Sequence, residues 1–280
     1  MADQVMKASA EVDGLIPEVW SANFYPTLVE KLPYASLISR DWEGEIQALG
    51  DIVNINDLPQ FDVAEEILED QKADADSVTA NKQQLTINKQ LVKDFILTKR
   101  AQRQSIDAAN ALRDLAMHSI MKRMQQIIIA DVIPSASAPD HQIAFDSGTT
   151  LALADILEAK ELLDSADVEE LGRACVIGAA QYNDLFNISG FTSKDFIPAG
   201  SPLTAGAVTL PVVGFNVNWT SEMGNVCHFF HPLFMTMAVQ QNPDVRVYDL
   251  GLEGKRAQRV NMDVLFGVKQ LSNLRVVSIS

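Results

Sequence analysis

Apolar and polar residues alternate in two stretches of the first third of the chain. In LGDIVNINDLP, Val53 and Ile55 alternate with asparagines, and in QQLTINKQLVKDFIL, Leu85, Ile87 and Leu91 alternate with polar residues. A period of two predicts strands with one apolar face. The segment between them is too polar to bury, so we predict a long two-stranded loop with an acidic tip. A solvated charge run in an ordinary loop is the alternative for the tip.

A helical period follows the second strand. From Ser105 to Ile133 the chain contains neither Gly nor Pro, and Pro134 comes directly afterwards. Ser105 can cap the first turn, so we predict one helix of about 27 residues, roughly 40 Å long. This exceeds the usual helix length in globular proteins and suggests a structural spine. The apolar residues that recur at four-residue steps are Leu112, Ala116, Ile120, Met124 and Ile128.

Helix and strand patterns then alternate before the sequence becomes rich in strand patterns. TLALADILEAKELLDSADV predicts an amphipathic helix, RACVIG a buried strand, AAQYNDLFN a short helix and VVGFNVNW a further strand. In the last third, HFFHPLFMTMAV, VRVYD, RVNMDVLFG and NLRVVSI predict strands, with the turn GLEGKR between two of them.

Net charge and cysteine usage narrow the class of protein. The chain has 22 Lys and Arg against 37 Asp and Glu, a formal charge of −15, which argues against chain-wide nucleic-acid binding. The two cysteines, Cys175 and Cys227, lie in apolar contexts typical of a reducing compartment. The N-terminus lacks the basic and apolar regions of a signal peptide, and no apolar run reaches the roughly 18 residues of a spanning helix. We therefore expect a soluble cytoplasmic product without membrane contact.

Cys227, His228 and His231 lie within five residues and raise the question of a metal site. On a strand, Cys227 and His228 point to opposite faces, so only His231 can join Cys227. Two ligands are too few for a structural or a catalytic zinc ion. We therefore predict a core strand here, with no metal and no cofactor.

The stretch FDSGTT, which contains Asp146, matches the short Asp-Ser-Gly-Thr signature of aspartic proteases. Only one copy is present, and an amphipathic helix begins at Leu151, so we predict that residues 147–149 form a turn and the N-cap of that helix. GLEGK lacks the spacing of a phosphate-binding loop. No catalytic constellation remains, so we predict that the protein is not an enzyme. An aspartic or metal-dependent hydrolase is the alternative from a different class.

The chain also carries an aromatic segment, IPEVWSANFYPTLVEKLPYASLISRDW, before any regular domain begins. Such an apolar arm is expected to pack against another surface, and we expect that surface to belong to a neighbouring subunit. The docking residues are expected to be Trp20, Phe24, Tyr25 and Leu28.

In this order, the features resemble the major capsid proteins of tailed bacteriophages over essentially the whole chain. The aromatic segment is similar to that family's N-terminal arm, and LGDIVNINDLP with LTINKQLVKDF is similar to its extended loop. RACVIGAAQYNDL with GFNVNWTSEM resembles the axial domain, and FFHPLFMTMAVQ with FGVKQLSNLRVV resembles the return into the peripheral domain and its closing strand.

The resemblance implies the α+β, Hong Kong 97-like capsid fold with five parts. It places the N-terminal arm at 1–43, the extended β-ribbon loop at 44–94, the peripheral domain with its spine helix at 95–149, the axial domain at 150–224 and the return to the peripheral domain at 225–280.

The resemblance also implies a function and partners. Copies of the chain are expected to form pentamers and hexamers that close as an icosahedral head around double-stranded DNA, held without sequence-specific binding. The short segment before the arm leads us to expect a separate scaffolding protein, beside a portal protein and, in some heads, a decoration protein. An encapsulin-type nanocompartment is the alternative, disfavoured by the long loop and the arm. The lysine, asparagine and glutamate trio that crosslinks some relatives is not recognisable here.

Copies of an acidic chain repel one another, so we expect the loop tip to meet basic residues of a neighbouring subunit. Each such pair is worth about 0.2 to 1 kcal/mol and is screened by salt, but repetition can set register. The acidic residues are Glu65, Glu66, Glu69 and Asp70. The basic residues, in the spine and around the GLEGKR turn, are Lys99, Arg100, Arg103, Lys122, Arg123, Lys255, Arg256 and Arg259.

Overall fold

The structure is a computed structural model of the chain. It describes residues 30–43, 52–57, 66, 81–98, 106–188, 213–253 and 256–280. The four aromatic and apolar arm residues and most of the acidic loop tip lie outside these ranges. The α-helices are α1 (Tyr34–Leu37), α2 (Ile106–Ala130), α3 (Leu153–Ser165) and α4 (Ala179–Asp184).

The predicted long helix is confirmed as α2, which has 25 residues. It ends at Ala130, three residues before the predicted end, and the amide of Asp131 still donates to Ile127 at 3.0 Å. Four of the five predicted apolar positions are buried, whereas Leu112, the one nearest the N-terminus, is exposed. The four-residue step therefore identifies the buried face of the helix correctly over most of its length.

The predicted two-stranded loop is also present at its root. Strand β1 (Ile52–Asp57) pairs antiparallel with β2 (Asn81–Thr86), and Val53 lies opposite Leu85. The second predicted strand does not continue unbroken, because the chain leaves the hairpin at Ile87 and Asn88 and begins β3 (Lys89–Thr98) in a different sheet. The residues of this one alternating pattern therefore form two strands, β2 in the hairpin and β3 in another sheet.

A three-stranded antiparallel sheet packs against α2. Its order is β3, β9 (Ala257–Gln270) and β8 (Met235–Asp249). Met262, Val264 and Phe266 of β9 belong to the same buried cluster as Ile120 and Met124 of α2. The alternation of β9 supplies this apolar face, and the helix removes it from water.

A five-stranded mixed sheet forms the second layer. Its order is β4 (Gln142–Ile143), β10 (Val276–Ile279), β7 (Cys227–Phe230), β5 (Ala174–Ile177) and β6 (Asn216–Trp219). One face carries Val176 and Phe230 into the cluster shared with α2. The other face carries Cys175 and Phe229 into a second cluster, which contains residues of α3.

The prediction of a single strand in HFFHPLFMTMAV is wrong. Strand β7 ends at Phe230, a 3₁₀ turn covers Pro232–Phe234, and β8 begins at Met235. Pro232 cannot donate to a strand ladder, and the His231 ring accepts from the Leu233 amide at 3.3 Å, which stabilises the turn. Within the region 225–280, β7 and β10 join the five-stranded sheet, whereas β8 and β9 join the three-stranded sheet.

The turn in FDSGTT is confirmed, but its predicted capping role is wrong. Thr150 donates to the Ser147 carbonyl at 3.1 Å, and Gly148 has a φ of +63°. The N-cap of α3 is Ala152, whose amide donates to the Asp155 carboxylate at 2.8 Å. A buried carboxylate three residues into the helix replaces the side-chain cap that the sequence suggested.

Candidate assembly surface

Strand β7 separates the residues that raised the question of a metal site. Cys227 lies with Phe229 in the cluster beneath α3, whereas His228 faces Tyr34 on the opposite side of the sheet. This alternation is the predicted one. Burial raises the pKa of the Cys227 thiol to about 12, so the thiol is protonated at neutral pH. Among the described residues, no group of three or more His, Cys, Asp or Glu side chains could hold a metal ion.

His228 belongs to the core. Its Nδ1 lies 2.5 Å from the phenol oxygen of Tyr34, and burial lowers its pKa to about 4. The imidazole is therefore neutral at neutral pH and serves as a hydrogen-bond partner. Burial also raises the pKa of Tyr34 well above its ordinary value, so the phenol keeps its proton.

Asp146 is exposed, and its backbone amide donates to Asp155 at 3.2 Å. His231 has a buried ring that caps the turn before β8, and its pKa is lowered by that burial. Neither residue lies in a catalytic arrangement within the described part of the chain. The His228 and His231 rings therefore have structural roles, whereas the Asp146 side chain is exposed.

The end of the arm is attached to the body through Lys122 of α2. The Lys122 ammonium lies 2.5 Å from a Glu30 oxygen and 3.1 Å from a Glu222 oxygen. His118 Nε2, one helical turn away, is 3.3 Å from the other Glu30 oxygen. The hydrogen bond from Lys122 lowers the pKa of Glu30, and the bonds to Glu30 and then Glu222 raise the pKa of Lys122. We call Glu30, Lys122 and Glu222 the arm-root triad.

The next residues of the arm are held by the end of β6. The Lys31 ammonium lies 4.2 Å from the centroid of the Trp219 ring, a cation–π contact. The Thr220 hydroxyl donates to the Lys31 carbonyl at 2.7 Å and accepts from Gln125 of α2 at 3.2 Å. Tyr34 then enters the core. The arm root therefore touches both α2 and the turn that follows β6.

A groove of about 350 Å³ runs between β3 and α2. Its apolar lining includes Leu91 and Ile120, and Lys93 and Arg123 are exposed at its rim. Arg123 donates to Gln126 at 3.2 Å on its own helix. Within a chain of charge −15, this groove is a local basic surface.

The sequence pattern did not point to three residues of the arm-root triad and the groove. No local motif marks Glu30, Glu222 or Lys93, and no spacing links Glu30 to a lysine 92 positions later. The only signal was a charged Glu30–Lys31 pair inside an aromatic segment, which is unusual enough to suggest that it has a partner.

The other predicted basic residues are not gathered at one place. Arg259 forms an ion pair with Asp94 across the β3–β9 ladder, and this contact lowers the pKa of Asp94. Arg256 and Glu66 are exposed. Lys99, Arg100, Arg103, Lys255, Glu65, Glu69 and Asp70 lie outside the described residues.

Solved structures that resemble this one come from bacteriophages, and two of the three described here are capsid structures. A structure from Mycobacterium phage Che8 superposes with a TM-score of 0.74 and 21% identity over 96% of this chain and 98% of that one. The capsid structure of cyanophage P-SCSP1u superposes with a TM-score of 0.74 and 10% identity over 97% of this chain and 94% of that one. The capsid asymmetric unit of cyanophage Pam1 superposes with a TM-score of 0.72 and 15% identity over 100% of this chain and 98% of that one. The fold is therefore an α+β phage capsid fold.

A family model described as phage capsid protein matches residues 44–280, and the chain belongs to that family. A comparison with curated protein sequences finds no match. The protein is a structural major capsid protein rather than an enzyme, and its place is the capsid of a virion. None of the described helices is long and apolar enough to cross a membrane.

Proposed function

We propose that the chain is the shell subunit of a Hong Kong 97-like head, in which pentamers and hexamers close an icosahedral shell around double-stranded DNA. The observation that carries this proposal is the near end-to-end match with capsid chains at TM-scores above 0.7. Rings of five and six require heterologous contacts between copies, which a hairpin and an arm reaching beyond the body can supply.

In this proposal the two sheets mark the two domains. The peripheral domain comprises β3, β8, β9 and the spine helix α2, and the axial domain comprises the five-stranded sheet with α3 and α4. The hairpin β1–β2 is the root of the extended loop. This arrangement revises the ranges drawn from sequence, because β7 and β10 then belong to the axial domain and β3 to the peripheral domain.

The arm residues Trp20, Phe24, Tyr25 and Leu28 bury their apolar surface on a neighbouring subunit. The acidic loop tip of another neighbour lies in the groove between β3 and α2. Lys93 and Arg123 suit that role because they are exposed at the rim, whereas Lys122 already holds two carboxylates of its own chain. Arg100, Arg103, Lys255, Arg256 and Arg259 remain further contributors to subunit contacts.

The expected partners follow from a head that is filled in the host cytoplasm. A scaffolding protein sets the curvature during assembly, a portal protein occupies one vertex, and a decoration protein is an optional outer component. The net charge of −15 supports a container that holds DNA without clamping it, because like charges on wall and cargo limit adhesion.

Electron microscopy of the purified protein, co-expressed with its scaffolding partner, tests the proposal. We expect closed particles with pentameric and hexameric units, and particles from infected cells should contain double-stranded DNA and one portal vertex. Particles filled with a cargo enzyme and lacking a portal would instead indicate a nanocompartment. A protein that stays monomeric with its scaffold would overturn the proposal.

A further inference from the structure

Three separate parts of the chain meet at one ammonium group. Glu30 belongs to the arm root, Lys122 to the middle of α2, and Glu222 to the 3₁₀ turn after β6. We propose that Lys122 is a positioning residue for assembly, which fixes the course of the chain at Glu30 and thereby the place from which the arm reaches a neighbouring subunit. This inference rests on the proposed function of the arm.

The geometry supports a positioning role because Glu222 is held in place by residues other than Lys122. Gln126 donates to the second Glu222 oxygen at 2.8 Å, which orients that carboxylate toward Lys122. Thr220 caps the turn that carries Glu222, since its hydroxyl accepts from the Glu222 amide at 3.4 Å. Gln126 and Thr220 thus hold Glu222 beside Lys122, and Glu30 completes the triad.

The arm root is held by one fully buried residue and by one partly exposed ion pair. Tyr34 has no exposed surface and is packed among core residues, so it cannot leave without opening the core. Lys122 and Glu30 are each about one-third exposed, at 34% and 33% of the side chain, so water and salt can replace their contact. The triad therefore contributes direction more than stability, because partly exposed ion pairs are individually weak.

The triad also links the two layers of the body. Lys122 joins α2, which packs on the three-stranded sheet, to the turn that follows the edge strand of the five-stranded sheet. A change in the angle between these layers would move Glu222 relative to Lys122. In this proposal the direction of the arm is consequently coupled to the shape of the subunit.

Cleavage at Lys31 measures the triad without reference to assembly. In the unassembled subunit, trypsin should cut after Lys31 at least about threefold faster in Lys122→Gln than in the wild type, because proteolysis follows the population of the opened segment. Lys160→Gln is the matched control. Lys160 pairs with Asp164 and Glu170 and is 30% exposed, close to the 34% of Lys122, but lies in α3 away from the arm.

Assembly is then measured with the same variants. We expect Lys122→Gln to yield fewer closed particles than Lys160→Gln at equal melting temperature of the subunits. Glu222→Gln, which keeps an acceptor for Gln126, should show the same two effects more weakly and covers the case in which Lys122→Gln folds poorly. The charge exchange Glu30→Lys with Lys122→Glu should recover particle formation relative to Lys122→Glu alone; cleavage is not compared for this variant, because Glu30→Lys itself adds a trypsin site.

The cleavage and assembly results together support or overturn the positioning role of Lys122. Faster cleavage together with impaired assembly and recovery in the exchange supports the positioning role. Unchanged cleavage overturns it, because the triad would then not hold the arm root. Faster cleavage with normal particles also overturns it, because the contact would then be irrelevant to assembly. If the wild type formed no particles while cleavage still responded to Lys122, the proposed function would fail and the attachment of the arm root would stand.

Discussion

The phenol oxygen of Tyr34 lies 2.5 Å from Nδ1 of His228, although the two residues are 194 positions apart in the chain. The Tyr34 ring also stacks on Phe230 of the same strand, with ring centroids 5.7 Å apart. The first described turn of helix is therefore a part of the core that α2 and both sheets share. A truncation that tests the arm should stop at residue 29, because a longer one removes the arm-root triad as well.

The hydrogen bond between Tyr34 and His228 should be visible in stability. Tyr34→Phe leaves a buried imidazole nitrogen without its partner, which should lower the free energy of unfolding by about 1–3 kcal/mol. Urea unfolding of the unassembled subunit measures this change. Tyr248→Phe is the control, since Tyr248 is about half exposed and should change the free energy by less than about 0.5 kcal/mol. Equal effects of the two substitutions would contradict the structure.

His228 should make stability depend on pH. Its folded-state pKa of about 4 lies below the ordinary 6.5, so the unfolded chain takes up a proton first as the pH falls. The contribution is complete above pH 6.5 and is lost between pH 6.5 and 4, by up to about 3 kcal/mol. The measurement is the slope of unfolding free energy against pH in wild type and His228→Gln. The variant should have the shallower slope, and equal slopes would assign the pH dependence to other groups.

Gly267 should be required where the hairpin meets β9. A Cβ atom at this position would lie 2.4 Å from the Thr86 carbonyl oxygen and 3.0 Å from the Ile87 Cα, both backbone atoms. Gly267→Ala should therefore displace the hairpin root and cost about 1–3 kcal/mol, seen as a lower urea midpoint. Gly251→Ala is the control, because its nearest neighbour is a side-chain oxygen of Asp249 at 3.3 Å. A urea midpoint of Gly267→Ala equal to that of the wild type would show that β9 and the hairpin root pack less closely at Gly267 than described.

Two aspartates that lie close together should respond differently to substitution. Asp155 is 1% exposed and accepts from the amides of Ala152 and Asp146, so Asp155→Ala should destabilise the subunit by about 1–2 kcal/mol. Asp146→Asn should leave stability and particle yield unchanged, because the Asp146 side chain is exposed. Thermal unfolding and particle counts measure both, and a loss of particles in Asp146→Asn would revive the question of a catalytic role.

The loop tip and the groove should respond to reversal of charge. Changing Glu65, Glu66 and Glu69 to Lys should reduce particle formation at low salt, because the tip would then repel the basic rim of the groove. Adding Lys93→Glu and Arg123→Glu should restore part of the yield, as measured by sedimentation of particles at several salt concentrations.

Exchanging the turn residues instead, with Lys255→Glu and Arg256→Glu, separates the two candidate surfaces. Recovery with the turn residues but not with the groove residues would move the contact to that turn. Particles that form from the triple lysine variant with unchanged salt dependence would show that the tip is merely solvated.

Much of the fold could be predicted from local patterns. The period of four along α2 identified its buried face from Ala116 to Ile128, and alternation identified both strands of the hairpin. The opposite orientations of Cys227 and His228 followed from strand geometry alone, and the structure shows the two side chains on opposite faces of the sheet. These properties are local, because the pleat or the helical turn fixes which way each side chain points.

The sequence by itself determined the long helix α2 and the strands of the hairpin, which face of each is apolar, and which family the chain resembles. Only the tertiary structure decided that HFFHPLFMTMAV divides between two sheets, that β3 leaves the hairpin, and that Glu30 meets Lys122 and Glu222. Alternation specifies a face but not the neighbour that covers it, and an apolar face packs equally well on any complementary surface. An ion pair between residues 92 positions apart leaves no period in the sequence, because it depends on where the folded chain brings its distant parts together.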